Sequence, residues 1–515
     1  MRPEIPRLED YDVSPKTGFL PEELPLDRLP DPYYAPWENL AANLPALIQT
    51  RRIRSLVDKM AVLSLDKLTD IRQLRRACVI LGFIAHGYVW GGDTPSDHLP
   101  KQVADPWVQV CDRLELPAIV TYASVCLWNF RTIVPCEPEE WDLDNLATLN
   151  TFTGSIDESW FYLVSTAIER QGAPCIATGL EAIHACRAGD ADTVVKCLQT
   201  LAESIDKINT SLGRMYEMCD PHTFYFRLRP YLAGWKNMTD AGLPNGVRYG
   251  DEKEYRQIAG GSNAQSSLIQ VLDILLDVEH HPTGERPNKH TIDDSSSEGG
   301  HRQKKKNNFI HEMRTYMPGP HRRFLEALSQ VAEIRDFVIE NSSHTPALTL
   351  SYDACLAMLR AFRDKHIQIV TRYIIMQARE AQRKKQPIQT KRDGLAGSTA
   401  TKKSRGTGGT ALIPFLKQAR DETGDPAASS WGKRLLSENM TTMLRPQKKP
   451  VSFSSDEEAG GVKKKRIVAP HNAPLPVPFR DSAASYSDDS SSESSQVGLN
   501  GQWEVEEETS NSGHW

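Results

Sequence analysis

The stretch CLAMLRAFRDKHIQIVTRY, residues 355–373, decides how this chain folds. Its apolar positions Cys355, Leu359, Phe362, Val370 and Tyr373 recur every three or four residues, the spacing of one face of an α-helix. His366 falls on the same stripe, while Arg360, Arg363, Asp364, Lys365 and Arg372 lie largely elsewhere on the wheel. An imidazole on a buried face costs free energy unless something satisfies its nitrogens. A carbonyl, a carboxylate or a metal would each do so, and the stretch alone leaves all three open.

The helical period recurs along most of the chain. It predicts helices over 39–64, 68–90, 104–113 and 117–130, and again over 157–173, 176–187, 190–217, 221–235, 264–279, 308–315, 320–329 and 352–381. No alternating strand pattern of comparable strength competes, so the expected fold class is all-α. At 515 residues the chain exceeds one compact core, and two domains with extra segments are expected. Residues 14–38 are proline-rich yet full of Leu, Tyr and Trp, which reads as an ordered arm packed on the protein. Residues 280–307, residues 382–405 and the chain from about 425 onward are too polar to build a core, and are expected to be loop-like or disordered. KKKR at 463–466 reads as a solvated charge run ahead of a nuclear-import signal.

Composition narrows the function classes. A net charge of -6 with a pI near 6.2 advertises no nucleic-acid partner. Nine scattered cysteines without a CxxC pair suit reduced thiols in the cytoplasm better than a disulfide framework or a zinc site. The N-terminal MRPEIPRLEDYDVSPKTG lacks the apolar core of a signal peptide, and the most apolar run, 77–90, is too short to span a bilayer. A soluble cytoplasmic protein with no membrane partner is the expectation.

Several short constellations carry chemistry-bearing residues, each with a bland reading beside it. GTGGT at 406–410 lacks the spacing of a phosphate loop and reads as a hinge, or as a loop that closes over a polar ligand. AGGSNAQSS at 259–267 reads as an ordinary helix cap, or as a backbone surface that approaches a bound group closely. In FYFRLRPYLAGW, 224–235, aromatics surround Arg227 and Arg229, and an arginine so placed is a carboxylate clamp or a surface ion pair. SWFYLVSTAIE, 159–169, sets Phe161 and Ser165 one helical turn apart, where the hydroxyl touches a ligand or bonds back to the helix. No HExxH or similar pair accompanies His366, which argues against a zinc cage built by protein alone. One histidine suffices for haem, whose porphyrin brings four nitrogens, although a lone helical histidine is more often a satisfied core residue.

Taken together and in order, these segments resemble the indoleamine 2,3-dioxygenase family. The resemblance runs through LPDPYYAPWE (29–38), LGFIAHGYVWG (81–91), LELPAIVTYA (114–123), FYLVS (161–165), RPYLAGW (229–235), AGGSNAQSS (259–267), YMPGPHRRFL (316–325), DKHIQIVTRYI (364–374) and RGTGGT (405–410). It covers roughly residues 14 to 420, and the polar inserts and long tail look like those of fungal members. It implies an N-terminal arm with a small helical domain over 1–150, a large helical haem-binding domain over 151–420 carrying the inserts 280–307 and 382–405, and a disordered polar tail over 421–515.

The resemblance also implies haem b as cofactor, with His366 as the proximal iron ligand because it occupies the histidine of the family's H-x-Q-I-V-T-[KR]-Y motif. Asp273 and Arg363 match a proximal acid–base pair, and Ser165, Gly261 and Ser262 would also border the cofactor. Arg229 would hold the substrate carboxylate, Phe161 and Phe224 would sandwich the indole, and Ser165 would act through hydrogen bonding. Tyr122, Tyr225, Gly261 and Ser262 would line the pocket, with Gly408, Gly409 and Thr410 closing over it. The implied partners are L-tryptophan and O2, and the implied reaction cleaves the indole C2–C3 bond to give N-formyl-L-kynurenine in a monomeric enzyme that opens the kynurenine route to NAD. The alternative is a haem protein of the same fold that binds O2 with little or no turnover. Four positions depart from the family pattern: Tyr225 is the second residue of a Phe-Phe pair, Asn263 and Ala264 replace the Ala-Gly of mammalian members, and Pro230 follows Arg229.

Overall fold

A computed structural model describes residues 2–284, 309–383 and 412–437, all within one compact unit. The fold is all-α. Its principal helices are α1 (Ala35–Ala42), α2 (Ile71–Trp90), α3 (Lys101–Arg113), α4 (Ile156–Ala188), α5 (Ala191–Gly213), α6 (Ser267–Leu275), α7 (Gly319–Val331), α8 (Pro346–Val370) and α9 (Leu412–Glu422). Strands are few and short. His98–Leu99 (β1) runs parallel to Val247–Tyr249 (β4), which pairs antiparallel with Tyr255–Arg256 (β5), and Phe130–Thr132 (β2) forms a hairpin with Leu146–Thr148 (β3).

The helix starts are written in the sequence. Asp70, Ser155, Asp190 and Ser266 each cap the helix that follows by accepting a backbone N–H from its first turn. Gly189 ends α4 with a φ of 74°, a left-handed cap that glycine adopts without strain. Helices α4, α5 and α8 pack side by side, and α6 lies against α4 through glycine contacts. A Cβ at Gly172 would sit 2.2 Å from Leu268 Cδ2, and one at Gly179 would sit 2.3 Å from Leu275 Cδ1. Bare backbone at these two positions lets α6 lie close enough to α4 for Asp273 and Ser165 to border one cavity.

Helix α2 is buried along nearly its whole length. Its polar residues are paired within the core. Arg76 meets Glu38 at 2.7 Å, and His86 accepts from the Val120 backbone N–H at 3.1 Å while its other ring nitrogen donates to the Tyr231 carbonyl at 2.7 Å. Trp90 donates to the Ala233 carbonyl at 3.1 Å, so α2 anchors two chain segments that wall the functional cavity.

Several boundaries differ from the sequence expectation. The pattern at 39–64 breaks into three short helices, Ala35–Ala42, Leu44–Gln49 and Ile53–Val57, with Arg51 at a φ of 59° between the last two. Residues 117–130 are not one helix. A single π-helical turn at Ala123–Leu127 stands between non-helical backbone and strand β2, because backbone donors here find distant partners: Val120 at His86, and Tyr122 at Gln265 Oε1 at 2.9 Å. The patterns at 157–173 and 176–187 fuse into the continuous α4, which carries Pro174 inside it.

The polar segments also differ in part. Residues 280–284, expected to open a loop-like insert, are packed on the protein through His280 and His281. Residues 425–437, expected in a disordered tail, include the helix Ser430–Ser437, where Arg360 donates to the Leu436 carbonyl at 2.5 Å and Ser429 to Asp353 at 2.5 Å. No helix among the described residues is long and apolar enough to cross a membrane.

Candidate functional site

Three chain segments that wall one deep cavity each contain a π-helical turn: Ala123–Leu127, Phe224–Leu228 and Thr371–Ile375. A π turn inserts an extra residue into the helical ladder and re-aims the side chains after it, and such turns concentrate at functional sites. Here they direct Cys126, Phe224, Arg229 and Tyr373 towards a common space. Pro230 lies two residues after the π turn Phe224–Leu228, inside a helical run that is continuous from Pro221 to Leu232.

The cavity has a volume of about 240 Å³. Its walls are chiefly apolar, with Val120, Val125, Ile168, Leu212, Leu232, Ile269 and Ile369 among them. The polar groups are few: Ser165, Arg229, Ser262, Asn263, Gln270, Asp273, Arg363 and His366 are the principal ones.

His366 faces this space from α8. It makes no hydrogen bond among the described residues, so none of the internal partners that the sequence left open satisfies it. Burial, with the nearby Arg363 charge, holds its pKa down to about 4, which leaves a neutral imidazole, the form that ligates a metal. One turn earlier, Arg363 donates to Asp273 Oδ1 at 2.6 Å, joining α8 to α6 along the same wall. Burial alone would raise the Asp273 pKa, but Arg363 and His280 outweigh it and hold it below the usual carboxylate range.

Elsewhere in the cavity Phe161, Ser165, Phe224, Arg229, Tyr122, Gly261 and Ser262 all line the same space, as the resemblance implies. Ser165 Oγ leans on the Phe161 carbonyl at 3.5 Å, a weak contact that leaves the hydroxyl available. Arg229 is 1% exposed, with its guanidinium 5.4 Å from the Tyr225 ring centroid. Burial lowers its pKa to about 10, so it stays a cation at neutral pH. An apolar cavity with a buried cation suits an aromatic ligand that carries a carboxylate.

Two expectations need correction. Phe161 and Phe224 do not stand apart to sandwich an indole. Their centroids are 4.8 Å apart with planes tilted by 51°, whereas a ring stacked between them needs about 7 Å, twice an ordinary contact distance. They form one aromatic wall, extended by Tyr373 at 5.7 Å from Phe224. Tyr225 is not among the lining residues. It packs with Ala378, Phe226 and Ile374 behind the wall, so its phenol supports Arg229 rather than facing the cavity. Gly408, Gly409 and Thr410 lie outside the described residues.

The sequence reading missed Glu169, one turn beyond Ser165 on α4. It is buried, and its Oε1 accepts from Tyr122 at 2.9 Å and from Ser266 Oγ at 2.6 Å, while Oε2 has no hydrogen-bond partner among the described residues. Burial pushes its pKa up to about 7 against the two hydrogen bonds. The only available signal was helical spacing: 161, 165 and 169 fall on one face of α4.

The donor set fits haem. A neutral histidine with no hydrogen-bond partner among the described residues faces a deep, chiefly apolar cavity. Among the described residues no group of three or more His, Cys, Asp and Glu side chains stands together to hold a bare metal ion, so a group that brings its own nitrogens matches what one histidine offers.

The family model for indoleamine 2,3-dioxygenase matches residues 7–426. The chain is 47% identical over 440 residues to the indoleamine 2,3-dioxygenase of Saccharomyces cerevisiae, covering 82% of this chain and 94% of that protein. It is 36% identical to a 6-hydroxytryptophan 2,3-dioxygenase of Fusarium equiseti, covering 81% and 96%, and 34% identical to human indoleamine 2,3-dioxygenase 2, covering 81% and 94%. With a family match over most of its length, and with these relatives aligned over four fifths of it, the chain is an oxygenase of the indoleamine 2,3-dioxygenase family.

Proposed function

We propose that the cavity holds haem b on His366 and that the enzyme opens the indole ring of L-tryptophan with O2, giving N-formyl-L-kynurenine as the first step of the kynurenine route towards NAD. The observation that carries this reading is the pairing, in one apolar cavity, of a neutral His366 with no hydrogen-bond partner among the described residues and a buried cationic Arg229. Haem, when bound, supplies the oxygen chemistry at the indole C2–C3 bond.

The protein's own residues bind, orient and exclude water. Arg229 takes the substrate carboxylate through its planar fork, and its burial strengthens that pairing because little water competes. The indole lies against the wall made by Phe161 and Phe224. The only carboxylate among the described lining residues is Asp273, which Arg363 engages. No lining carboxylate is thus free to act as a base, and Ser165 contributes a hydroxyl that donates or accepts a hydrogen bond without removing a proton. On the α8 side, the Asp273–Arg363 pair steadies the wall from which His366 projects.

The test is the purified chain loaded with haem, reduced, and given L-tryptophan in air. Absorbance of N-formylkynurenine should rise, and the haem spectrum should shift on tryptophan binding. A chain that takes up haem and shifts its spectrum but forms no product would instead be an O2-binding paralogue.

A further inference from the structure

At the C-terminal side of the cavity, Asp273 and Arg363 are the inner half of a larger buried array. His280 Nε2 lies 3.2 Å from Asp273 Oδ2, and its Nδ1 lies 2.8 Å from Glu422 Oε2. The other Glu422 oxygen accepts from the His281 backbone N–H at 3.1 Å and from Gln418 at 2.8 Å. Glu422 is 1% exposed and is the last residue of α9, the helix that lines the cavity with Leu412, Phe415, Leu416 and Ala419. Arg363 also donates to the Ala419 carbonyl at 3.3 Å and to Thr423 Oγ1.

We propose that His280 and Glu422 are positioning residues: with Asp273 and Arg363 they form a buried ion relay that docks α9 against α8 and so fixes the wall around His366. Charge accounting supports this. With His280 protonated these four side chains sum to two cations and two anions, with Arg363 also 3.3 Å from His280 Nε2. With His280 neutral the relay carries an unbalanced buried carboxylate, an arrangement that costs heavily in a low dielectric. The relay therefore holds α9 tightly only while His280 keeps its proton.

The surroundings favour that proton. Burial alone would lower the His280 pKa, but Asp273 and Glu422 outweigh it and raise it above 6.5, with Arg363 opposing them. Burial likewise pushes Glu422 up, and His280 and Gln418 pull it below its usual value. His281 stands 3.3 Å from Glu422 on the same side. The adjoining cleft adds Asp277 and Glu279 as anions and His311 and Arg314 from the helix Phe309–Arg314. A histidine raised in the folded state contributes stability that is complete below its ordinary value and lost as pH rises through the raised one. Docking of α9 should weaken in that direction.

What the relay does to bound cofactor rests on the haem reading above; its docking of α9 does not. The test uses the full chain and its variants His280→Gln, Glu422→Gln and the double variant. Amide hydrogen exchange across residues 412–422 should rise roughly tenfold or more in each single variant, and no further in the double variant. After correction for intrinsic exchange, the wild type should open progressively as pH rises above the ordinary histidine range, and His280→Gln should lose that dependence. In the loaded enzyme, haem dissociation should quicken by roughly 10–100-fold in either variant, a change that general destabilisation away from the cavity would not bring. Unchanged exchange in both single variants, strictly additive effects, or a wild-type pH series that stays flat would overturn the relay. If a variant does not fold, the wild-type pH series decides alone. A wild-type chain that never takes up haem would sink the haem reading, and the exchange data would still judge the relay.

Discussion

Phe161 and Phe224 touch: their ring centroids are 4.8 Å apart, so two residues from separate helical segments make a single surface. An aromatic pair of this geometry is worth about 0.5–1.5 kcal/mol beyond its buried area. Removing either ring breaks that pair as well as the contact with substrate. Phe161→Ala and Phe224→Ala should each raise KM for tryptophan by roughly tenfold, and the double variant should fall well short of the product of the two. Steady-state kinetics on the four proteins decides it. Fully multiplicative losses would mean that the rings act on substrate independently, as in a sandwich.

Arg229 is read as the carboxylate clamp, and a hydrogen bond to a charged group contributes about 1.5–3 kcal/mol. Arg229→Ala should therefore lose roughly 10–150-fold in kcat/KM for L-tryptophan. Arg229→Lys should recover little, because an ammonium lacks the planar fork. Tryptamine, which has no carboxylate, should be a poor substrate for the wild type and no poorer for the variants. An equal further loss with tryptamine would show that Arg229 shapes the cavity instead.

How much of this was legible in the sequence depends on whether the decisive partner is local. The stripe containing His366 was legible because helical period is a local property, and α8 carries it as expected. The same rule misread 117–130, an apolar run whose backbone is satisfied by His86 and Gln265, far away along the chain. The π turns were illegible for a related reason, since an extra residue in a helix is tolerated through packing against other segments. Asp273 and Arg363 are far apart in sequence and were placed together only by resemblance, while Glu169, His280 and Glu422 look like ordinary polar residues until the fold buries them. Periodicity thus found most of the long helices, the resemblance named several residues that border the cavity, and the buried polar partners behind them needed the structure.

Two histidines should respond oppositely to the same substitution. His366→Ala removes a side chain with no hydrogen bond among the described residues, so the fold should persist by far-ultraviolet circular dichroism while the Soret band is lost. His86→Ala removes one that bridges Val120 and Tyr231, and leaving each buried backbone group unsatisfied costs about 1–3 kcal/mol. That variant should unfold at lower urea, yet its folded fraction should still bind haem. A full Soret band in His366→Ala would remove the proximal assignment.

Glu169 supplies a pH dependence that tests the wall behind Ser165. Its folded pKa stands at about 7 against an ordinary 4.5, because burial disfavours the ion and only Tyr122 and Ser266 oppose that. The folded state thus binds more proton than the unfolded state between those values, so stability falls as pH rises through them. The full contribution is present below about pH 4.5, and about 3 kcal/mol of it is gone above about pH 7. Glu169→Gln keeps an oxygen for Tyr122 and Ser266 but cannot ionise. Urea midpoints of the two proteins should nearly coincide at about pH 5, and the variant should become the more stable one at about pH 8, since the other carboxylates titrate alike in both. Midpoints that stay parallel across that range would mean that Glu169 is already ionised in the folded protein, and that its two donors carry a buried charge rather than a neutral acid.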